Sequence, residues 1–182
     1  MRKDHFTKIK LPEGVNIREE GNEIIVKGKE GENRKIFNLK NITIKQEGNE
    51  IKIGQKRSTK NEKKMINTLT AHIKNMIKGV EVQYRYRLKI CASHFPITVE
   101  VKGNQGIIKN FIGENIPRKV KIPTGVKVDV DREIITITST DKELAGQAAA
   151  NFEKTTWIRD RDRRVFQDGI FIIEKAVREE KE

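Results

Sequence analysis

The sequence predicts an α+β fold of two tandem copies of a small module, each a mostly antiparallel β-sheet with one α-helix packed on it. Two observations predict this fold. A short motif occurs twice, as VKGKEG at residues 26–31 and as VKGNQG at residues 101–106. In each half, runs of alternating apolar residues precede a helix start of the form T-x-x-E, at residues 59–62 and 140–143. Alternation with period two is typical of half-buried strands, whereas apolar spacings of three and four indicate a helix.

The strands of the first module come at its beginning. Apolar and polar residues alternate on both sides of a turn at 12–14, and again around turns at 28–31 and 47–49. Short strands separated by Gly, Asn and Pro are typical of an antiparallel sheet with one face toward a core. The predicted core positions are Ile9, Leu11, Val15, Ile17, Ile24, Val26, Ile36, Phe37, Ile42, Ile44, Ile51 and Ile53.

A helix follows these strands. Thr59 and Glu62 have the spacing of a capping box, in which each side chain binds a backbone N–H near the helix start. An apolar stripe then runs through Met65, Ile66, Leu69, Ile73, Met76 and Ile77, and we expect Gly79 to end the helix. The opposite side carries Lys60, Lys63 and Lys64, a possible secondary contact with RNA or protein.

The second module repeats this order. Residues 80–90 alternate and are predicted to form its first strand, and further strands follow up to Ile137. Its helix is expected to begin at Thr140 and to bury Leu144, Ala145, Ala148, Ala149 and Phe152. The predicted boundaries are 1–82 for the first module and 83–174 for the second module with its arginine-rich segment. A charged tail occupies 175–182.

The charge of the chain indicates a polyanionic partner. The 182 residues carry a formal net charge of +12 at pH 7. The excess of Lys and Arg over Asp and Glu is eight in residues 1–83 and four in residues 84–182. Such fields attract nucleic acid, or acidic protein and lipid surfaces, although surface lysine can also serve solubility alone.

Other classes of protein are disfavoured by what the sequence lacks. It has no apolar run near the ~20 residues of a membrane span and no apolar region of a secretory signal, so we expect a cytoplasmic protein without membrane association. The single cysteine, Cys91, excludes an internal disulfide and is expected to be a small core residue. His5, His72 and His94 are scattered and lack metal-ligand spacing. We therefore predict neither an enzyme nor a cofactor, metal or small-molecule substrate.

One segment concentrates the chemistry of binding. Residues 159–164 contain four arginines, flanked by Trp157 and Phe166. Arginine can hold a phosphate with two parallel hydrogen bonds and can stack on bases, which favours nucleic acid as its ligand. For Trp157, Phe166 and Phe171 we predict burial in the core, since large rings are usually buried, although exposed rings would be able to stack on unpaired bases.

The chain resembles a known family through several motifs. HFPITVEV at 94–101, NFIGE at 110–114, RDRRVFQDGIF at 161–171 and the opening IKLPEGV at 9–15 are similar to the archaeal and eukaryotic branch of the large-subunit ribosomal protein L six family. The resemblance implies that both sheets are curved. It also implies a ribosomal-RNA-binding constituent of the large subunit, near the sarcin–ricin loop and the base of the factor-binding stalk, with neighbouring ribosomal proteins as further partners.

The resemblance also implies where ribosomal RNA is bound. In this family the second module and the carboxy-terminal segment make the main contacts. Here these parts supply Lys109, Arg118, Lys119, Lys154, Arg159, Arg161, Arg163 and Arg164. At this point the sequence does not resemble the glycine- and lysine-rich tail of the bacterial branch, so contacts known for bacterial members are not carried over to it. An alternative function is that of a free-standing regulatory protein that binds RNA or DNA.

Overall fold

A computed structural model describes residues 3–37, 42–48, 50–162 and 164–177. The chain divides into two compact units, Met1–Gln83 and Tyr84–Glu182. In the described part of each unit, antiparallel strands are followed by one α-helix. The predicted α+β fold of two tandem modules is therefore confirmed.

The first unit contains six strands and one helix. In chain order they are β1 (Lys3–Lys10), β2 (Asn16–Glu20), β3 (Glu23–Gly28), β4 (Gly31–Ile36), β5 (Thr43–Glu47), β6 (Glu50–Ser58) and α1 (Lys60–Glu81). The strands form two antiparallel sheets, ordered β1-β6-β5 and β2-β3-β4. The helix packs against strands of both sheets and encloses a core of aliphatic side chains.

The second unit contains seven strands. They are β7 (Tyr84–Cys91), β8 (Thr98–Lys102), β9 (Gln105–Lys109), β10 (Arg118–Lys121), β11 (Lys127–Asp131), β12 (Ile134–Ser139) and, after helix α2 (Lys142–Thr155), β13 (Gly169–Val177). A 3₁₀ turn, Phe111–Gly113, lies between β9 and β10. The antiparallel sheets are ordered β8-β9-β10 and β11-β12-β7-β13.

The two units repeat one topology, but not in the register of the VKG motif. VKGKEG forms the β3–β4 hairpin, whereas VKGNQG forms the β8–β9 hairpin, whose counterpart in the first unit is β2–β3. The equivalent turns contain Asn22 and Asn104, whose carbonyls accept the N–H groups of Phe37 and Ile122. The prediction of a repeat was correct, but the motif that suggested it aligns two different hairpins.

The strand β13 was not predicted. It pairs with β7 on the side opposite β12, and in the first unit no described strand occupies the equivalent side of β1. The predicted start of a charged tail at residue 175 falls inside this strand, and residues 178–182 lie outside the described residues. The second unit is thus the repeated topology with one added edge strand.

Both helix starts contain a capping side chain, in different forms. For α1 the capping box is present: the Thr59 hydroxyl accepts from Glu62 N at 3.3 Å, and Glu62 Oε2 accepts from Thr59 N at 2.6 Å. For α2 the predicted start at Thr140 is wrong, because Asp141 is the capping residue and accepts from Glu143 N at 2.7 Å.

The predicted end of α1 and one residue of its stripe are also wrong. Gly79 is buried inside the helix, which continues to Glu81. Met65 is exposed, while Ile66, Leu69, Ile73, Met76 and Ile77 are buried as predicted. A Cβ on Gly28 of β3 would lie 2.7 Å from the side chain of Val80, so the glycine at position 28 permits the close approach of α1 to this strand.

Helix α2 packs at a short distance from its sheets. Ala145, Ala148, Ala149 and Phe152 are fully buried as predicted, whereas Leu144 is half-buried. A Cβ on Gly106 of β9 would lie 2.8 Å from two ring carbons of Phe152. The glycine therefore permits the ring to reach the strand.

Candidate nucleic-acid interface

Three segments of the second unit meet beyond the carboxy-terminal end of α2. They are the loop after β7 (residues 92–97), the turn and loop before β10 (residues 110–117), and residues 154–168, which we name the arginine segment. The Asn110 amide donates to the Pro96 carbonyl at 3.0 Å, which joins the first two. Arg118 Nη1 donates to the Thr155 carbonyl at 2.6 Å, which joins the second to α2. The two basic regions predicted to bind RNA are therefore adjacent.

Arg118 is a structural residue at this junction. Its Nε and Nη2 donate to the two carboxylate oxygens of Glu114, and its guanidinium lies 4.3 Å from the ring centroid of the buried Phe111. The hydrogen bond from Arg118 holds the pKa of Glu114 below its ordinary value, and the nearby charge of Arg161 acts in the same direction. The planar fork of arginine suits all of these contacts at once.

Asp168 anchors the arginine segment from its other end. The carboxylate is 2% exposed and accepts hydrogen bonds from the backbone N–H groups of Ser93 and His94 and from the His94 ring at Nδ1. Burial acts to raise the pKa of Asp168, but the hydrogen bonds from His94 and Ser93 outweigh it and leave the pKa below its ordinary value. The sequence does not predict this role, because Asp168 does not stand at a spacing from other residues that is typical of an anchoring carboxylate.

A stack of three side chains continues from this anchor to the surface. The His94 ring stacks on Phe166, with centroids 5.0 Å apart, and the Arg161 guanidinium lies 4.8 Å from the Phe166 centroid. Stacked and cation–π contacts of this kind stabilise the ordered position of an exposed loop. Arg161 is exposed at the end of the stack.

The structure divides the predicted RNA-binding cations into two groups. Lys109 is paired with Glu100, Arg118 with Glu114, and Arg164 with Asp162 at 3.1 Å. Lys119, Lys154, Arg159 and Arg161 are exposed and take part in none of the ion pairs among the described residues. Arg163 lies outside the described residues.

The cations of the second group do not all lie together. Lys154 lines a groove beside the arginine segment, whereas Lys119 lines a separate groove along α2 with Gln147 and Asn151. The predicted secondary contact is in the other unit, where Lys60, Lys63 and Lys64 are exposed on the first turns of α1.

The sequence of each unit matches the same family model. The model for ribosomal protein L6 matches residues 11–83 and again residues 95–169, once in each structural unit. This chain belongs to the ribosomal protein L6 family.

Curated relatives of this L6-family chain are similar over nearly its whole length. The large ribosomal subunit protein uL6 of Methanobrevibacter smithii is 43% identical over 168 residues, which cover 92% of this chain and 94% of the relative. The uL6 protein of Picrophilus torridus is 42% identical over 172 residues, covering 94% and 96%. That of Sulfurisphaera tokodaii is 44% identical over 173 residues, covering 94% and 93%. The predicted family, in its archaeal and eukaryotic branch, is confirmed, since archaeal uL6 proteins are among its relatives.

The aromatic residues of this L6-family chain contradict the prediction that they are buried. Trp157 is 55% exposed, Phe171 is 43% exposed, and Phe166 is half-buried. The core beneath them is filled by Phe152 and Ile170 instead. Cys91 is half-buried at the end of β7.

A groove of about 810 Å³ lies at these exposed rings. It is lined by Cys91, Ser93, Glu153, Lys154, Thr156, Trp157, Ile158, Phe166, Gln167, Asp168 and Phe171.

Within the described ranges, no three His, Cys, Asp or Glu side chains are grouped so that they could hold a metal ion. Neither α-helix in the described part of the chain is long and apolar enough to cross a membrane.

Proposed function

We propose that this chain is a non-catalytic constituent of the large ribosomal subunit, where it binds ribosomal RNA in the cytoplasm and contacts neighbouring ribosomal proteins. Membership of the ribosomal protein L6 family and the similarity to archaeal uL6 proteins support this function. The family resemblance also supports a position near the sarcin–ricin loop and the base of the factor-binding stalk.

The observation that carries the proposal is the braced arginine segment. Its two ends are anchored by Arg118 and Asp168, while Lys154, Arg159 and Arg161 remain exposed and form none of the salt bridges found among the described residues. Cations held on an ordered surface can neutralise crossing phosphate backbones. Phosphate contacts position a protein without reading sequence, so specificity for an RNA then depends on its shape.

The test is the salt dependence of RNA binding. The probe is a fragment of large-subunit ribosomal RNA that contains the sarcin–ricin hairpin. We expect the logarithm of the affinity to fall linearly with the logarithm of salt concentration. The double substitution Lys154→Glu with Arg159→Glu should weaken binding and lower the slope by about one for each phosphate that the variant no longer neutralises.

The matched control makes the same change of charge away from the segment. Lys127→Glu with Lys142→Glu alters two exposed cations at the start of β11 and at the first residue of α2, at the opposite end of the sheet from Cys91 and Gly169. Thirteen residue steps along the helix lead from Lys142 to Thr155, which is roughly 20 Å at 1.5 Å per residue. We expect this variant to retain nearly the wild-type slope. Equal losses of affinity in both variants would mean that net charge, not the arginine segment, determines binding.

The free-standing regulator is separated from this proposal by sedimentation of a cell lysate. Co-sedimentation with the large subunit, released only by high salt, supports the ribosomal function, whereas a low-mass fraction supports the regulator. The same gradient tests the α1 surface, because Lys60→Glu with Lys64→Glu should weaken retention if α1 makes the proposed secondary contact.

A further inference from the structure

The groove beside the arginine segment has a floor that is fixed by hydrogen bonds. The Thr156 hydroxyl accepts from Ile170 N at 2.9 Å and donates to the Glu153 carbonyl at 3.1 Å. On the same floor, both oxygens of the Asp168 carboxylate already take part in hydrogen bonds, with the backbone N–H groups of Ser93 and His94 and with the His94 ring. The groove is therefore formed before any ligand arrives.

Two exposed rings border this floor. Trp157 and Phe171 both line the groove and are both largely exposed, and the half-buried ring of Phe166 packs between His94 and Arg161. Exposing a tryptophan ring to water forfeits the free energy that its burial would contribute. A flat apolar ligand would recover part of it by covering the ring.

The cations beside the groove indicate that such a ligand carries negative charge. Lys154 lines the groove, and the exposed Arg159 directly follows Ile158, which also lines it. Two cations beside a stacking surface fit a ligand with a flat ring and flanking phosphates, which is the chemistry of a nucleotide in a polynucleotide chain. An apolar protein segment would leave both cations without a complementary charge.

We propose that the groove takes one unpaired nucleobase of RNA, which stacks on Trp157 while Lys154 and Arg159 bind the phosphates on either side of it. The proposal rests on the RNA-binding function proposed above and adds to it a preference for RNA with a base outside the helix. Each base has a π-face, so the stacking requires an unpaired base but not a particular one.

The test uses the full chain and two RNA hairpins of the same length and charge, one with a single unpaired purine in its stem and one fully paired. Trp157 is the only tryptophan of the chain, so its fluorescence reports directly on the groove. We expect the hairpin with the unpaired purine to quench this fluorescence and to bind more tightly than the paired hairpin.

Substitutions in the full chain separate stacking from charge. Trp157→Ala should weaken binding of the hairpin with the unpaired purine by between about fivefold and about a hundredfold, the range for one base–aromatic stack, and should leave the paired hairpin unchanged. Trp157→Phe keeps a ring and should restore most of the affinity. Phe6→Ala removes an exposed ring from the first unit and serves as the control.

A second measurement avoids any effect of the substitution on folding. Cys91 is the only cysteine and lines the same groove, so the unpaired purine should slow its alkylation in the wild-type chain.

Three other results would overturn the inference. Equal affinity for both hairpins with unchanged fluorescence would reject the base site and leave RNA binding intact. Binding of neither hairpin at any salt concentration would reject the proposed function as well. A fluorescence change with RNA-depleted ribosomal proteins, and not with the hairpins, would assign the groove to a protein partner.

Discussion

Arg118 shows at the scale of single residues that a cation in a basic region can serve the fold. Its guanidinium binds Glu114, the Thr155 carbonyl and the face of Phe111. A lysine at this position would have no planar fork with which to make these contacts together. The family resemblance assigns Arg118 to RNA, and the structure gives it a second role in placing the arginine segment.

Asp168 has an equally local role with a consequence for pH. Because the hydrogen bonds from His94 and Ser93 outweigh burial, the pKa of its carboxyl is lower in the folded chain than in the unfolded chain. A lowered pKa contributes stability that is fully present above the unfolded value and is lost as pH falls through the folded value. The loss from Asp168 therefore belongs below about pH 4, the range in which an ordinary Asp titrates.

Replacing Asp168 tests this argument. We expect Asp168→Asn to lower the free energy of unfolding at pH 7 by about 1–3 kcal/mol, since hydrogen bonds to a charged acceptor are removed. The variant should also lose less stability than the wild type between pH 5 and pH 3. Urea unfolding followed by Trp157 fluorescence measures both effects, because Trp157 lies in the second unit.

The matched control is Asp129→Asn. The Asp129 carboxylate is largely exposed, and its partner Lys127 lies 3.4 Å away. Exposed ion pairs contribute little, so the stability of this variant should follow that of the wild type across the pH range. If Asp168→Asn and the wild type had the same pH dependence, the carboxylate would not be the group that titrates.

The candidate site could be predicted only in part from single residues. The four closely spaced arginines drew attention to the segment, because charge and spacing are visible in the sequence, and its binding of RNA stays a prediction. The burial of Trp157 and Phe171 was predicted wrongly, because composition does not say how many large side chains a small core can hold. The pairing of Arg118 with Glu114 depends on the turn at Phe111–Gly113, where Ile112 has a φ of 51° that no sequence pattern predicts.

At the scale of elements, local patterns were sufficient to predict most strands and both helices, although not the end of α1 or the capping residue of α2. The strands β5 and β6 and the helix α1 follow from alternation, turn residues and a capping box within a few positions. The strand β13 escaped prediction because apolar residues occupy both of its faces between Ile170 and Ile173, and because its partner β7 is distant in the chain. Whether such a run pairs with a sheet is decided by tertiary contacts.

The capping box of α1 provides the prediction at this scale. Thr59→Ala removes the hydroxyl that accepts from Glu62 N, so one backbone donor at the helix start loses its partner. We expect the free energy of unfolding of the first unit to fall by about 1 kcal/mol. Thermal unfolding of residues 1–83, which contain α1, followed by circular dichroism measures the effect.

The control is the same substitution in the middle of the same helix. The Thr68 side chain is exposed and bonds back to the Lys64 carbonyl, a bond that contributes little to a helix. Because alanine favours helix more than threonine does, Thr68→Ala should leave stability unchanged or raise it slightly. A loss of stability at Thr68 as large as at Thr59 would show that the cap is not the cause.

At the scale of the whole molecule, the two units share a topology but not a role. Each has its own core cluster, from Ile9 to Val80 in the first and from Tyr86 to Ile170 in the second. The second unit adds β13, and the arginine segment is the connection that leads from α2 into this strand. The added strand thus fixes one end of the segment that we propose to bind RNA.

For this reason, net charge and geometry predict different answers to the question of which half of the chain binds RNA more tightly. Residues 1–83 carry the larger excess of Lys and Arg over Asp and Glu, eight against four in residues 84–182. If diffuse charge determines affinity, the first half should bind the ribosomal RNA fragment more tightly. If the braced segment determines it, residues 84–182 should retain most of the affinity and of the salt slope of the full chain, and we expect this second outcome.

For the measurement, the two halves are expressed separately, divided between Gln83 and Tyr84. Each half is then titrated with the same RNA at several salt concentrations. Separate cores predict that both halves fold cooperatively, which thermal unfolding checks first, although units of this size are marginally stable. Tighter binding by the folded first half would contradict the assignment of the main contact to the arginine segment. In that case the exposed lysines of α1 would become the primary site, and Lys60→Glu with Lys64→Glu should then remove most of the affinity of the full chain.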